Sequence, residues 1–166
     1  MLKKLKSIIH TKNWGTPDYE PEKWEQLKPG TNCCGYALGI MVPSSSHALY
    51  EVGGIARLTN SKQPANLSVH DLEQNLLADC KALKLNICPC SKNTKPQSHE
   101  RLICMLWNAK EKAFHFLRLD SNGFWSHKLD WSSGVTNVYY LDHIKNPEIP
   151  FFQYGYRVAG YYLLSN

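Results

Sequence analysis

The second half of the chain consists of short apolar or alternating segments separated by turns, and this feature most constrains the possible folds. Alternation of apolar and polar residues over such lengths is typical of half-buried β-strands. The turns between the earlier segments are short, which favours antiparallel pairing of neighbours. We therefore predict an antiparallel β-sheet built from residues 101–108, 113–120, 124–131, 137–141 and 156–164.

The clearest helical pattern precedes these segments and covers residues 68–84. Ser68 is a residue type that commonly caps a helix N-terminus. The apolar side chains that follow recur on one helical face, as expected for a helix packed against a core. They are Val69, Leu72, Leu76, Cys80 and Leu83. Helices followed by a run of strands indicate an α+β fold.

A shorter helix is predicted to begin at a pair of adjacent cysteines. Thr31 or Asn32 can cap it, and Pro43 is expected to end it. The residues between are mostly apolar, so this helix should be largely buried. Residues 13–30 are predicted to form an irregular lead-in with a helical turn at 22–27, and residues 44–66 a loop or one short strand. The predicted architecture therefore has N-terminal helices packed on an antiparallel sheet.

Length and composition indicate one globular domain. The chain has 166 residues, of which 43% are hydrophobic and 20% charged, so a disordered chain is excluded. We predict a single domain over residues 1–166, with residues 1–30 as an irregular or helical lead-in. The net charge of +5 is scattered rather than gathered into a basic stripe, so no nucleic-acid partner is expected.

The N-terminal ten residues bear on location. Their apolar part is too short for a signal-peptide core, and no small-residue cleavage site follows. We expect a cytoplasmic protein, with export by a dedicated secretion system as the alternative. Leu2, Leu5, Ile8 and Ile9 can form one helical stripe, which packs on the domain or serves as a membrane-surface anchor. The sequence contains no apolar run long enough to span a membrane, so no insertion is expected.

The cysteines are expected to be free thiols rather than a disulfide framework. Six are present, at positions 33, 34, 80, 88, 90 and 104. An even number of cysteines does not imply disulfides in a chain of this size without a secretory signal. Cys88 and Cys90 are separated by one residue, which is not the usual spacing of zinc ligands. We therefore predict no metal and no cofactor.

Two histidines lie on either side of a hairpin sequence, Asp-Ser-Asn-Gly. If the turn places Gly123 in the left-handed region, Asp120 opposes Phe124 and His115 shares a face with His127. A two-residue Asn-Gly turn would instead place His115 opposite Asp130, because a slip of one residue exchanges the two faces of a strand. The first register also gathers Leu117, Leu119, Trp125, Leu129 and Trp131 on one apolar face. For that reason we prefer it.

These residues suggest cysteine catalysis. A helix N-terminus and a nearby imidazole both favour the thiolate form of a cysteine, which is the nucleophile. Cys33 is the candidate nucleophile and His115 its base. His127 is the candidate third member, with Asp130 and Asp120 as alternatives. Cys34 is expected to face the core, although it remains the alternative nucleophile.

The cysteine block resembles the nucleophile motif of NlpC-type papain-like peptidases. That motif reads Asp-Cys-Ser-Gly before an apolar helix, and here Asn32 and Cys33 occupy its first two positions. The resemblance implies a papain-like fold and a Cys-His-His triad, or one with another polar third residue. The two histidines of that group lie on adjacent strands about a dozen residues apart, which His115 and His127 match. Gln26 lies near the position of a papain-like oxyanion-hole glutamine.

A second resemblance covers residues 30–164. A group of uncharacterised bacterial proteins has an Asn-Cys-Tyr-x-Tyr-Ala-Leu block, a His-x-x-Arg-x-Asp-x-x-Gly-x-Trp-Ser-His-Lys block and a Gly-Tyr-rich last strand. Here the first block begins at Asn32, and this chain has Cys34 where the group has Tyr. The remaining matches are His115, Arg118, Asp120, Gly123, Trp125, Ser126, His127, Lys128, Gly160, Tyr161 and Tyr162.

Together these features predict a cysteine-dependent hydrolase or acyl-transferase that acts on a peptide, isopeptide or side-chain amide bond. The expected partner is a protein or peptide substrate. The alternative is a binding or inhibitory module that uses the same scaffold without turnover, because a fold does not determine function. The remaining tyrosines near the predicted site are assigned to core and rim packing; they are Tyr36, Tyr154, Tyr156, Tyr161 and Tyr162.

Overall fold

The computed structural model describes residues 9–10, 15–25, 31–41, 51–59, 62, 64–129 and 133–166. The helices are α1 Pro21–Glu25, α2 Cys33–Leu38, α3 Gly54–Leu58, α4 Val69–Ala82 and α5 Ile149–Phe152. Two short strands, β1 Ile9–His10 and β2 Ile40–Met41, pair antiparallel. The helical stripe predicted for the first residues is therefore wrong at Ile9, and its other members lie outside the described part of the chain.

Four of the five predicted segments contribute strands to the main sheet, which also contains two strands that were not predicted, at 86–90 and 135–136. The predicted segment 137–141 contributes its strand to a separate hairpin instead. The remaining strands are β3 Asn86–Cys90, β4 Glu100–Asn108, β5 Ala113–Leu119, β6 Trp125–Lys128, β7 Val135–Thr136, β8 Val138–Tyr139, β9 Asp142–His143 and β10 Arg157–Ser165. The sheet order is β3-β10-β4-β5-β6-β7, with every pair antiparallel, and β8 and β9 form a separate hairpin. The protein is a mixed α+β fold with an antiparallel sheet, as predicted.

The sheet separates two apolar clusters. On one face, the helical layer packs on alternate residues of the strands, including Ile103, Met105 and Phe116. On the other face, Leu106, Leu117 and Trp125 form a second cluster with Phe151 of α5. Successive side chains of a strand point to opposite faces. The odd-numbered and even-numbered residues of β5 therefore belong to different clusters.

Helix α4 forms as its sequence predicts. The Ser68 hydroxyl accepts a hydrogen bond from the Asp71 N–H at 3.1 Å and so caps the helix. Three members of the predicted stripe, Leu72, Leu76 and Cys80, are fully buried against the sheet. The long helix therefore supports the layer that carries the adjacent cysteines.

Helix α3 replaces part of the predicted loop. The Asp79 carboxylate accepts hydrogen bonds from the backbone N–H groups of Gly53 and Ala56 at 2.6 and 2.8 Å. These N–H groups at a helix start would otherwise lack partners. The cap comes from a residue on α4 that is distant in sequence, so the local sequence does not reveal this helix.

Helix α2 ends earlier than predicted. Gly39 follows its last turn with φ +70°, the left-handed conformation that glycine adopts most readily. A Cβ atom at this position would lie 1.8 Å from the guanidinium Nη1 of Arg101. Glycine at this position, and not Pro43, therefore ends the helix.

Candidate active site

The nucleophile candidate lies in the first turn of α2. The Asn32 side chain accepts a hydrogen bond from the Gly35 N–H at 2.8 Å, so Asn32 is the N-cap and the helix begins at Cys33 as predicted. Cys33 and Cys34 are both buried, with exposed fractions of 6% and 5%, and both are free thiols. Helix α2 packs on β5 and β6, the two strands that carry the histidines.

The hairpin between β5 and β6 adopts the preferred register. The Asp120 N–H donates to the Phe124 carbonyl at 3.0 Å, and Gly123 has φ +81°. Arg118 opposes Ser126 and Leu119 opposes Trp125. The apolar face is shorter than predicted, because Leu129 is 57% exposed. Asp130 and Trp131 lie outside the described residues.

This register brings the two histidines into contact. The Nε2 atom of His115 lies 3.1 Å from the Nδ1 atom of His127, and both side chains are buried. The Phe151 ring covers both imidazoles, with centroid distances of 4.4 Å to His115 and 5.0 Å to His127. Tyr156 lies beside the pair, 6.4 Å from the His115 ring centroid. The pair is therefore enclosed by aromatic rings.

Burial determines the protonation of both rings. It lowers the pKa of His127 to about 4, and it lowers the pKa of His115 well below the usual value, with a further contribution from His127. Both imidazoles are therefore neutral at neutral pH. Each neutral ring has one donor and one acceptor nitrogen, so their contact is a single hydrogen bond whose direction depends on the tautomers. The Nδ1 atom of His115 takes no part in it.

The Cys33 sulfur lies beside the strand that carries His115. Burial raises the pKa of Cys33 to about 11, and the backbone N–H of Phe116, next to His115, partly offsets this effect. Among the described residues, no direct hydrogen bond joins the Cys33 sulfur to either imidazole. The structure therefore brings the two histidines together on the Phe151 face of the sheet. It places the thiol in the helical layer on the opposite face, next to the backbone of Phe116.

Cys34 occupies a different environment. Its pKa is raised by burial first, then by Asp79 on α4, by the adjacent Cys33 and by Cys80 on α4. Adjacent residues of a helix project in different directions, so the two thiols have different neighbours within the same buried cluster. Cys33 is directed toward the sheet that carries the histidines, and Cys34 is surrounded by groups of α4.

Lys128 is a charged residue of the site that the sequence did not single out. Its side chain is fully buried, and its charge lowers the pKa of Cys33, after the larger effects of burial and backbone hydrogen bonds. Strand alternation places Ser126 and Lys128 on the face opposite His127, toward α2. Strand alternation could therefore have predicted from the sequence that Lys128 faces α2 and Cys33. A lysine beside a thiol favours the thiolate.

Asp120, the alternative third member, belongs to another cluster. Its carboxylate accepts a hydrogen bond from the Arg118 Nε at 3.0 Å, in an ion pair that is almost fully buried. The Arg118 guanidinium lies 4.0 Å from the ring centroid of Tyr36, whose hydroxyl is 2.7 Å from the Ser126 hydroxyl. This cluster joins α2 to the hairpin. Arg118, Asp120 and Ser126, which belong to the Arg-x-Asp and Trp-Ser-His-Lys blocks, therefore have a structural role.

The remaining predictions concern the oxyanion candidate, metal ligands and membrane insertion. Gln26, the oxyanion candidate, lies outside the described residues. Among the residues with assigned structure, no cluster of metal-ligating side chains occurs, and none of their helices could cross a bilayer.

No protein-family model matches this chain, and no curated protein or solved structure is significantly similar to it.

Proposed function

We propose that the protein is a cysteine-dependent hydrolase or acyl-transferase that acts on an amide bond of a protein or peptide. Cys33 is the nucleophile, His115 the base, and His127 the residue that orients His115. The observation that carries this proposal is the 3.1 Å contact between the imidazoles, on the two strands against which the helix that begins at Cys33 packs. The resemblance of the cysteine block and the hairpin to papain-like peptidases supports it.

The arrangement suits a specific sequence of proton transfers. The Cys33 thiol gives its proton to Nδ1 of His115 and its sulfur bonds to the substrate carbonyl carbon. The imidazolium then protonates the leaving amine as the carbon–nitrogen bond breaks, which leaves a thioester on Cys33. Water, or another nucleophile in a transferase, then attacks the thioester and restores the thiol.

His127 is suited to its role because it stays neutral. When His115 becomes an imidazolium, both of its nitrogens are donors, and Nε2 then needs an acceptor. The low pKa of His127, near 4, keeps its ring neutral, and in the tautomer that carries its proton on Nε2 the Nδ1 atom can accept. A protonated His127 would repel the imidazolium instead.

The observed state is closed, and the proposal requires an open state in which the Cys33 sulfur comes within hydrogen-bond reach of Nδ1 of His115. Burial is the largest cause that raises the thiol pKa and lowers both imidazole pKa values, so the ion pair of thiolate and imidazolium is disfavoured here. Phe151 covers the histidines, and displacement of α5 would admit water and substrate. Catalytic hydrogen bonds often tighten only when substrate binds.

A non-catalytic binding module is the second candidate, and the same burial favours it. In that case the histidine pair is a satisfied polar contact in the core, and Cys33 is an inert thiol.

Iodoacetamide at about pH 6, where ordinary thiols react slowly, distinguishes the two functions when adducts are mapped by peptide mass spectrometry. The hydrolase predicts preferential modification of Cys33 over the exposed Cys88, and loss of that preference in His115→Ala but not in the surface control His70→Ala. Modification of Cys88 without Cys33 would contradict the hydrolase.

A further inference from the structure

Acyl transfer to Cys33 would create a negative oxygen that needs hydrogen-bond donors. The backbone N–H of Cys33, at the start of α2, is one such donor, because the first N–H groups of a helix have no partner within it. One backbone donor is commonly joined by a side-chain donor in such sites. Any second donor must lie near both Cys33 and His115 and must reach a substrate that enters from solvent.

Tyr156 meets the requirements at His115 and at the solvent edge by position. Its ring lies 6.4 Å from the His115 ring and 6.0 Å from the Phe151 ring, between centroids. It is half-buried, whereas Cys33 and His115 are buried, so it borders solvent at the edge of the candidate site. Its backbone N–H donates to the Phe151 carbonyl at 3.2 Å, which holds it at the end of the turn after α5.

The electrostatics of Tyr156 agree with this position. Its pKa is raised by burial first, and then by the negative charge that Cys33 carries as a thiolate. A raised pKa keeps the hydroxyl protonated at neutral pH, so it is a donor.

We propose that the Tyr156 hydroxyl is the side-chain donor of the oxyanion hole for acyl transfer to Cys33. This inference rests on the proposed function. When the sulfur bonds to the carbonyl carbon, the carbon–oxygen π pair moves onto oxygen, and the Tyr156 O–H donates to that oxyanion. When this electron pair returns to form the carbon–oxygen double bond, the bond to the leaving group breaks and Tyr156 keeps its proton. Tyr156, which was predicted from the sequence to serve core and rim packing, is thereby assigned a catalytic role.

The experiment compares two reagents that share the thiol but differ in the oxyanion. p-Nitrophenyl acetate acylates the thiol through a tetrahedral oxyanion and releases p-nitrophenolate, whereas iodoacetamide alkylates it by direct displacement of iodide. Both rates are measured at Cys33 in a Cys88→Ser, Cys90→Ser background, because those are the accessible thiols among the six. Tyr156→Phe removes only the hydroxyl, and Tyr154→Phe, at a side chain that is 60% exposed, is the matched control.

We expect Tyr156→Phe to slow acylation of Cys33 by about 100-fold, as for loss of one oxyanion donor, while alkylation changes less than about twofold. Tyr154→Phe should change neither rate. Equal acylation rates in Tyr156→Phe and the parent would overturn the inference and leave the nucleophile assignment intact. A parallel fall of both rates would also overturn it, because that indicates a disturbed site. A parent whose Cys33 reacts with neither reagent would refute the proposed function and this inference together.

Discussion

The Nε2 atom of His115 lies 3.1 Å from the Nδ1 atom of His127, although the two residues are on different strands of a buried hairpin. The contact fixes the orientation of both rings and leaves Nδ1 of His115 for another partner. Phe151 covers the pair and excludes water from it. A hydrogen-bonded pair of neutral imidazoles in an apolar setting has consequences for stability that can be measured without knowledge of a substrate.

Acid should destabilise the protein through this pair. A histidine whose pKa is lower in the folded than in the unfolded state contributes stability above the unfolded value of 6.5, and loses it as pH falls toward the folded value. For His127 the fall to about 4 corresponds to about 3 kcal/mol. Asp79, with a pKa raised to about 6, acts in the opposite direction over the same range.

His127→Gln isolates this effect because Asp79 remains in both proteins. We expect the difference in unfolding free energy between the parent and His127→Gln to shrink by about 3 kcal/mol from pH 7 to pH 4. The measurement is urea denaturation at several pH values. His143→Gln, at an exposed histidine, is the control. A difference that does not vary with pH would show that His127 is not held neutral by burial.

Removal of the ring that covers the histidines should open the site. Phe151→Ala removes a side chain that is only 7% exposed, and we expect a loss of about 3 kcal/mol of stability. The rate of Cys33 alkylation should rise at the same time, because water and reagent reach the thiol more often. Phe152→Ala, at a neighbour that is 60% exposed, should leave that rate unchanged. If Phe151→Ala loses stability with no gain in alkylation, then α5 does not control access.

The buried ion pair should matter more to stability than its exposed counterpart. Arg118→Met leaves the Asp120 carboxylate buried without its cation, which should cost about 3–5 kcal/mol. The double variant Arg118→Met, Asp120→Leu should cost less than the sum of the single changes, since no charge is then stranded. Lys92→Met breaks the exposed pair with Glu148 and should cost under about 1 kcal/mol. Additive losses in a denaturant series would contradict direct coupling of Arg118 and Asp120.

Activity should separate the three proposed roles once a substrate is found. Cys33→Ala should abolish turnover, because no neighbouring group replaces the thiolate. His115→Ala should cost nearly as much, and His127→Ala less, since orientation of a base contributes less than the base itself. Melting temperatures of all variants identify any loss that comes from unfolding. An order in which His127→Ala is the most damaging would contradict the assignment of His115 as base.

Local signals in the sequence predicted the parts of the site that local chemistry determines. Asn32 caps α2, and the turn residues up to Gly123 set the register that joins the histidines. The missed elements depend on distant residues: α3 is capped by Asp79 from α4. Strand β3 contains Pro89 and lacks alternation, yet it is accommodated because β3 lies at the edge of the sheet. The buried environment of Lys128 likewise depends on α2 packing across the strands.

The pH dependence of Cys33 alkylation tests the central claim, that Cys33 and His115 form a nucleophile and base, most directly. We predict that the iodoacetamide rate at Cys33 stays level between about pH 6 and about pH 8, because the imidazolium holds the thiolate in the open state. In His115→Ala the rate should instead rise about tenfold per pH unit over this range, as for an unassisted thiol. The contrary result is a parent rate that rises in this way as pH approaches the thiol pKa of about 11 and does not change in His115→Ala. It would show that Cys33 is a buried structural thiol.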